Sequence, residues 1–277
     1  MIDIIMRQNF LKQLKIKTLQ DISQGKISYD KLDVFLKIDK EVALEAIKHE
    51  RFVYFDIHKS LKDDREIVLA SVKQYGLMLE YVSNKFKQDR EIVFEAVKQC
   101  GFALKYASKN LREDKEIVLE SIKSDGWSLK FVGKKFIKDQ DFLLLAVKHH
   151  GYAFELLPKK YKSNKLFIEN CIKKHAYILR FLDDKLKLNY LFLERLIKLN
   201  GCCLQYIPDV FKDDFDLVLS AVKQNGLAIN YVEGNLRKNK EIIIEAIKQN
   251  RDCFEYVDNS MQLDKEVVAA YMKYSMI

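Results

Sequence analysis

The chain has 277 residues, of which 48% are hydrophobic and 32% charged, a composition typical of a folded protein rather than a disordered one. Its 48 basic and 40 acidic residues give a formal net charge of +8, and its nine glycines and two prolines favour helices joined by short connections over a β-sandwich or β-barrel. No apolar run approaches the ~18 residues that span a bilayer, and no signal peptide is recognisable.

Five cysteines are present, and their odd number and irregular spacing favour free thiols over a disulfide framework. They are Cys100, Cys171, Cys202, Cys203 and Cys253. We therefore expect a cytoplasmic-type, reducing location, either in the cell of origin or in the cytosol of a host.

The predicted elements begin with residues 1–38, where irregular helical segments, one of them over 28–38, should cap the array that follows. From Asp39 a signature close to Asp-Lys/Arg-Glu-Ile-Val-Leu returns every 25 residues. We interpret 39–263 as nine full repeats and 264–277 as a truncated repeat that caps the C-terminus. Position 1 of the repeat falls at Asp39, Asp64, Asp89, Asp114, Asp139, Asn164, Asn189, Asp214, Asn239 and Asp264.

The residue types at each position of the repeat predict a first helix. Asp or Asn at position 1 is a preferred N-cap, and the acidic residue at position 3 in eight of ten copies suits the positive end of a helix. Apolar residues at positions 4, 5 and 9, with a small residue at position 8 in most copies, form one face of an amphipathic helix. Glycine at position 13 in six copies is interpreted as the stop of that helix.

A second, shorter helix is predicted from apolar residues at positions 16, 19 and 23, with Pro158 and Pro208 at position 20, near its end. Neither helix is long enough to be stable alone, so neighbouring repeats must support one another. The predicted fold class is therefore all-α, a right-handed-type α-solenoid of nine 25-residue two-helix repeats with helical caps.

The repeat also resembles a known family. The pattern Asp-Lys-Glu-Ile-Val-Leu-Glu-x-Ile/Val-Lys-x-x-Gly-x-x-Leu-Lys-Tyr/Phe-Ala/Val, seen at 89–107 and 114–132, is similar to domain of unknown function 4116, whose unit is about two of these repeats long. Repeats 5 to 7 depart from it, for example at Leu166 and Leu191, where the acidic residue of position 3 is missing. The resemblance implies a helical-repeat protein of a kind common in amoeba-associated intracellular bacteria and protists, some of which look like effectors. It implies no catalytic residue.

Lysine occupies position 10 in all ten copies, and this lysine ladder has two interpretations. It could form a basic stripe for an acidic partner. It could equally be structural, because position 10 lies in the last turn of the first helix and Glu45, Glu95, Glu120 and Glu245 stand three residues before it. We favour the structural interpretation.

Positive charge is concentrated between residues 130 and 187, which contain fourteen basic and six acidic residues, whereas the rest of the chain has 34 of each. Most of these lysines occupy positions 21–25, the predicted connection between repeats, and equivalent connections should stack. We predict that they form a basic ridge that binds an anionic partner, the alternative being a solvated surface without a partner. The basic ridge comprises Lys130, Lys134, Lys135, Lys138, Lys159, Lys160, Lys162, Lys185 and Lys187.

Two further features have both a functional and a structural interpretation. Aromatic residues at position 18 in seven copies could stack nucleobases, but their helical spacing is more typical of packing. His149, His150, His175 and Cys171 lie in one segment, but Cys171 occupies an inward-facing position and the set makes no convincing metal site.

Glu169 and Glu194 stand at position 6 of adjacent repeats. We interpret 166–169 as the usual sequence slipped by one residue, which makes these glutamates exposed surface residues rather than a catalytic pair. No glycine-rich phosphate loop, Gly-x-Ser-x-Gly, His-Glu-x-x-His or Cys-x-x-Cys motif is found. We therefore expect no enzyme activity, no cofactor and no metal ligand.

The function predicted from these features is that of a non-catalytic protein–protein interaction scaffold. We expect a monomer that holds a protein with an acidic surface and that could act as a secreted effector on a host protein. The alternative is a binder of nucleic acid or anionic phosphate groups through the basic ridge.

Overall fold

Helices account for the regular secondary structure of this protein. The computed structural model describes residues 2–274, with side chains from residue 6 onward, and these residues contain no β-strand. The α-helices are Ile2–Ser23, Val34–Lys37, Lys40–His49, Val53–Asp56, Arg65–Gln74, Arg90–Gln99, Lys115–Ser124, Lys134–Lys138, Gln140–His149, Lys159–Lys162, Lys165–Ile172, Asp184–Lys187, Tyr190–Leu199, Phe215–Gln224, Lys240–Gln249 and Lys265–Tyr274. The 3₁₀ helices are Tyr29–Lys31, Gly76–Glu80, Phe86–Gln88, Gly101–Tyr106, Leu111–Glu113, Gly126–Phe131, Gly151–Leu156, Ala176–Phe181, Gly201–Tyr206, Asp209–Phe211, Gly226–Tyr231, Gly234–Lys238, Arg251–Tyr256 and Met261–Leu263.

The full repeats share one order of helices. A long helix occupies positions 2–11, as in Arg90–Gln99, and the residue at position 12 is extended. A second helix, as in Gly101–Tyr106, begins at position 13 and is a 3₁₀ helix in repeats 2 to 9. A short helical segment follows at positions 21–25 in most repeats, where the sequence predicted only a connection, and Pro158 is the N-cap of one such segment.

The capping role predicted for position 1 is confirmed. Asp39 Oδ1 accepts hydrogen bonds from the backbone N–H groups of Glu41 and Val42, at 2.9 and 3.2 Å, and so satisfies two donors that a helix start leaves free. Equivalent bonds are accepted by Asp64, Asp89, Asp114, Asn164, Asn189, Asp214, Asn239 and Asp264. The residue at this position therefore sets where these long helices begin.

The core lies between the long and second helices. Positions 4, 5, 8 and 9 of the long helix face it, together with positions 15, 16 and 19. In repeat 3 these buried residues are Ile92, Val93, Ala96, Val97, Ala103, Leu104 and Ala107. Within each of the two units described below, long helices of successive repeats contact one another, and so do successive second helices. Each repeat thus completes its core with its neighbours, which makes this an α-solenoid of helical repeats.

The chain divides into two units, Met1–Asp139 and Gln140–Ile277. The first holds repeats 1 to 4 and the residues before them, and the second holds the later repeats. No helix among the described residues is long and apolar enough to cross a membrane.

Residues 15–38 follow the geometry of a repeat, which differs from the irregular segments expected there. The Tyr29 hydroxyl donates to the carbonyl oxygen of Lys37 at 2.8 Å, and 25 residues later the Tyr54 hydroxyl donates to that of Lys62 at 3.3 Å. Tyr29 is fully buried, which fixes this segment against the first repeat. The repeating structure therefore begins before its sequence signature does.

The interpretation of glycine at position 13 as a helix stop is wrong. The long helix has already ended at position 11, and of the described glycines only Gly25 and Gly234 have a positive φ. A Cβ on Gly76 would lie far inside van der Waals contact with the carbonyl oxygen of Ala96, at position 8 of the next repeat. The Gly76 N–H donates to Gln99 Oε1 at 2.6 Å, and Gly201 donates likewise to a glutamine of its next repeat. Glycine is needed here because two repeats approach closely.

We call a recurring contact between successive repeats a joint. The glycine contact is the first joint, and ion pairs form a second one. Arg65 Nε lies 2.8 Å from Asp89 Oδ2, and its Nη2 lies 2.6 Å from Glu91 Oε2, so one guanidinium at position 2 bridges positions 1 and 3 of the next repeat. The same bridge joins Lys15 to Asp39 and Glu41, Lys40 to Asp64 and Glu66, Arg90 to Asp114 and Glu116, and Lys240 to Asp264 and Glu266. Position 2 is basic in seven of ten copies, a signal from which this joint could have been predicted.

We expect Gly201→Ala to destabilise the protein by about 1–3 kcal/mol, because the added Cβ meets the backbone oxygen of Ala221, which cannot move aside. The control is Ala176→Gly. Ala176 occupies position 13 of repeat 6, which tolerates a Cβ, so this change should lower the free energy of unfolding by less than about 1 kcal/mol. Urea unfolding of both variants measures the difference. Equal stability of Gly201→Ala and the parent protein would contradict the close approach.

Stability should also fall as the pH drops below about 4, the ordinary range of an Asp carboxyl. The Arg65 guanidinium beside Asp89 lowers the pKa of that carboxyl, so the ionised carboxylate stabilises the folded state. This stabilisation is present above the unfolded-state pKa and is lost as the pH falls through the folded-state pKa. Asp89→Asn keeps an N-capping side chain but removes this titration. The variant should lose less stability than the parent between pH 5 and pH 2 in urea unfolding, and an unchanged pH slope would refute the joint.

Candidate binding surfaces

The predicted basic ridge lies mainly on the short helical segments. Lys134–Lys138 carries three of its lysines in the first unit, and Lys130 stands in the second helix just before it. Lys159–Lys162 and Asp184–Lys187 carry the other five in the second unit. The ridge therefore has one part in each unit.

Most of the ridge lysines are exposed, and only Lys162 and Lys187 are half-buried. Several rest on aromatic rings. The Nζ of Lys130 lies 4.3 Å from the ring centroid of Trp127, and that of Lys160 lies 4.4 Å from the centroid of Tyr161. Such contacts order the side chain while the ammonium group stays accessible to solvent and to a partner.

Lys162 has a structural contact that the sequence did not reveal. Its Nζ donates to the carbonyl oxygen of Glu155 at 2.5 Å. Lys62 donates in the same way to Phe55 at 3.0 Å, and Lys87 makes the equivalent bond in repeat 2. In repeats 1, 2 and 5 the cation at position 24 thus binds a carbonyl near the end of the second helix of its own repeat. Lys162 is therefore less available to a partner than the exposed ridge lysines.

The structural interpretation of the lysine ladder predicted four ion pairs, and three of them are formed. Each pair joins a lysine to the glutamate three residues earlier on the same helix. They are Lys48 with Glu45 at 2.8 Å, Lys123 with Glu120 at 3.1 Å, and Lys248 with Glu245 at 2.5 Å. These contacts favour a structural role for the ladder.

The second helices present a set of partly exposed aromatic side chains. In the first unit Phe52 and Tyr81 are each 55% exposed, Phe55 is 46% exposed and Phe102 is 36% exposed, and we call these four residues the aromatic face. The Phe55 and Tyr81 rings meet edge to face with centroids 4.8 Å apart. Phe102 meets the position-18 ring of Phe131 at 5.6 Å. The position-18 rings thus pack on their neighbours, as their spacing indicated, while one side of the face stays open.

An apolar hollow of about 310 Å³ adjoins the aromatic face at Phe102. It is lined by Leu77, Cys100, Phe102, Lys105, Tyr106 and Phe131. The walls come from the second helices of successive repeats, so the hollow exists only because the repeats stack. Its size and lining suit one or two apolar side chains of a partner rather than a reacting substrate.

The structure does not assemble the His and Cys residues of 149–175 into a metal centre. Cys171 is fully buried, and burial raises the pKa of its thiol to about 12. His175 Nε2 lies 3.2 Å from the carbonyl oxygen of Lys148, and burial lowers the pKa of this imidazole. Among the described residues no group of three or more His, Cys, Asp or Glu side chains is close enough to hold a metal ion.

The interpretation of Glu169 as an exposed residue is wrong. Phe167 and Ile168 occupy the buried positions 4 and 5 as in other repeats, so the sequence has not slipped. Glu169 is only 9% exposed and its Oε1 lies 2.8 Å from Arg195 Nη2 on the next long helix. That contact is an ion pair rather than a well-aligned hydrogen bond. Glu194 is half-buried and pairs with Lys198, so each glutamate forms an ion pair with a different basic residue.

A family model, domain of unknown function (DUF4116), matches residues 39–87, 89–138, 139–187, 189–237, 214–262 and 239–274. The chain belongs to the DUF4116 family. The resemblance seen in the sequence is thereby confirmed, and every match except the last covers about two of the 25-residue repeats. One DUF4116 unit therefore corresponds to two long helices with their second helices and short segments. Comparisons with curated proteins and with solved structures found no match.

The Glu169–Arg195 pair is a departure from the other repeats of this chain that stability measurements can test. Arg195→Met leaves a buried carboxylate without its counter-charge and should cost about 1–3 kcal/mol. Glu169→Leu restores the residue type that Leu144 and Leu219 have at position 6 and should be neutral or stabilising. The double variant should recover most of the loss in urea unfolding. If Arg195→Met is as stable as the parent protein, the pair is not a joint between repeats.

Proposed function

We propose that this DUF4116 protein is a non-catalytic scaffold that binds another protein with an acidic surface. The observation that carries the proposal is the aromatic face of the first unit. Its rings are ordered by edge-to-face contacts yet remain more than a third exposed. Rigid, partly exposed aromatic side chains beside an apolar hollow are typical of the centre of protein interfaces.

The charge around the aromatic face favours an acidic partner. Lys105 lines the apolar hollow, and its Nζ lies 5.2 Å from the ring centroid of Tyr106. The exposed Lys130, Lys134 and Lys135 belong to the same unit. Positive charge near an apolar contact speeds association with a negatively charged protein and discriminates against a positively charged one.

A second candidate function is binding of nucleic acid or other anionic phosphate groups through the basic ridge. The observation that favours it is that Lys134, Lys135, Lys159 and Lys160 are exposed and form no ion pair within residues 6–274. Such binding weakens by about 0.7–0.9 log units per log unit of salt for each phosphate neutralised. Protein binding through an aromatic face depends on salt much less.

The experiment is affinity capture from host or cognate lysate at two salt concentrations, with and without nuclease. We expect a protein partner that survives nuclease and high salt and that is lost from a Phe55→Ser/Tyr81→Ser variant. Reversal of Lys134, Lys135, Lys159 and Lys160 to Glu should weaken capture. The matched control reverses four exposed lysines of the N-terminal segment, Lys12, Lys17, Lys26 and Lys31.

Retention of nucleic acid alone, lost at high salt and in the ridge variant but not in the control variant, would support the second candidate. Capture of a protein with equal yield by the aromatic variant would contradict the aromatic face as its site. No captured protein under any condition would contradict the scaffold function.

A further inference from the structure

A cleft of about 390 Å³ lies in the first unit, where the short segments of repeats 3 and 4 adjoin. It is lined by Lys109, Arg112, Glu113, Phe131, Val132 and Lys134 around the backbone of Gly133. Three cations face one carboxylate, so the cleft has a net positive charge at neutral pH. It is separate from the basic ridge except at Lys134.

Arg112 differs in its hydrogen bonding from three other cations at position 24. Lys62, Lys87 and Lys162 each donate to a carbonyl oxygen of their own repeat. Arg112 Nε, by contrast, is buried and has no hydrogen-bond partner in the described part of the chain. A buried N–H of a charged group without an acceptor is costly, so an acceptor brought by a ligand would be favoured strongly.

In repeat 8 a carboxylate lies beside the position-24 cation of the preceding repeat. Glu233, at position 20 of repeat 8, pairs at 3.5 Å with Lys212, the position-24 cation of the preceding repeat. Repeat 4 has Gly133 at this position and so brings no side chain to Arg112. The backbone contact between the two repeats is present, because the Gly133 N–H donates to the carbonyl oxygen of Arg112 at 2.8 Å. Repeat 4 therefore keeps this backbone contact with the preceding repeat but brings no carboxylate to its position-24 cation.

We propose that this cleft binds a carboxylate of the partner protein, an Asp or Glu side chain that pairs with Arg112 as Glu233 pairs with Lys212. The Arg112 guanidinium donates to it, and Lys109 and Lys134 balance its charge. Phe131 and Val132 form an apolar wall for a neighbouring side chain of the partner. The proposal rests on the proposed scaffold function and names the chemistry by which an acidic protein segment is recognised.

Glu113 opposes this binding and so provides a sensitive test. Its side-chain stem packs against Gly133, where a Cβ would clash with it, and its carboxylate lines the cleft. Neutralising this carboxylate should strengthen binding of an acidic ligand, whereas a nonspecific surface attraction through distant lysines would respond much less.

The experiment follows the Nε–Hε resonances of the arginines by NMR in the full chain while a blocked tetraglutamate peptide is added. We expect a saturable shift of the Arg112 resonance, assigned with Arg112→Gln, and no shift with a blocked tetraglutamine peptide. Arg112→Gln should lower the peptide affinity at least about tenfold, and Glu113→Gln should raise it several-fold. The matched control is Arg237→Gln, because Arg237 at the same position donates to the Val232 and Tyr256 carbonyls, and it should leave the affinity unchanged.

An Arg112 resonance that does not respond to the peptide would overturn the proposal. So would inorganic phosphate shifting it at lower concentration than the peptide, because the cleft would then be a phosphate site. If Arg112→Gln does not fold, Glu113→Gln still decides, since an unchanged affinity contradicts the proposal. A captured partner protein that Arg112→Gln binds as well as the parent would contradict the cleft and leave the scaffold function standing. Saturable peptide binding with no captured protein would support the cleft and contradict the scaffold.

Discussion

The fold depends on the contact between the glycine at position 13 of one repeat and the long helix of the next. The missing Cβ lets the second helix reach the carbonyl oxygen at position 8, and the glycine N–H is satisfied by the side chain at position 11, as Gly76 is by Gln99. A ten-residue helix is too short to be stable alone, so the order of each repeat comes from such contacts with its neighbours. The bridge from position 2 to positions 1 and 3 of the next repeat adds a polar contact between the same two repeats.

Repeats that depart from this joint use other contacts and create the distinct surfaces of the protein. In repeat 6, Ala176 replaces the glycine, and the buried Glu169 pairs with Arg195 instead of an apolar residue packing there. In repeat 4, Gly133 removes a position-20 side chain and opens the cleft beside Arg112. Because the joints occupy the faces between repeats, the surfaces left for a partner are the exposed aromatic rings of the second helices and the lysines of the short segments. Recognition would then arise where single copies differ from the repeat, while the shared positions maintain the fold.

Features that depend on residues close in sequence could be predicted, and features that join different repeats could not. The N-cap at Asp39 and the buried face of the long helix follow from local spacing, and the structure has both. Glycine after a helix has two physical explanations, a left-handed turn or a close approach, and only the neighbouring repeat decides between them. The burial of Glu169 likewise depends on Arg195, which is one repeat away in the sequence. The bond from Lys162 to the Glu155 carbonyl was missed because backbone acceptors leave no pattern in a sequence.

The most direct test of this account is a double-mutant cycle on the joint between Gly76 and Gln99, measured by urea unfolding. Gly76→Ala forces the second helix away from the next repeat, and Gln99→Ala removes the acceptor of the Gly76 N–H. If the two residues form one joint, the double variant should be more stable than the sum of the single effects implies, by about 0.5 kcal/mol or more. Strictly additive losses would show that the two residues act independently and would contradict the joint on which the account depends.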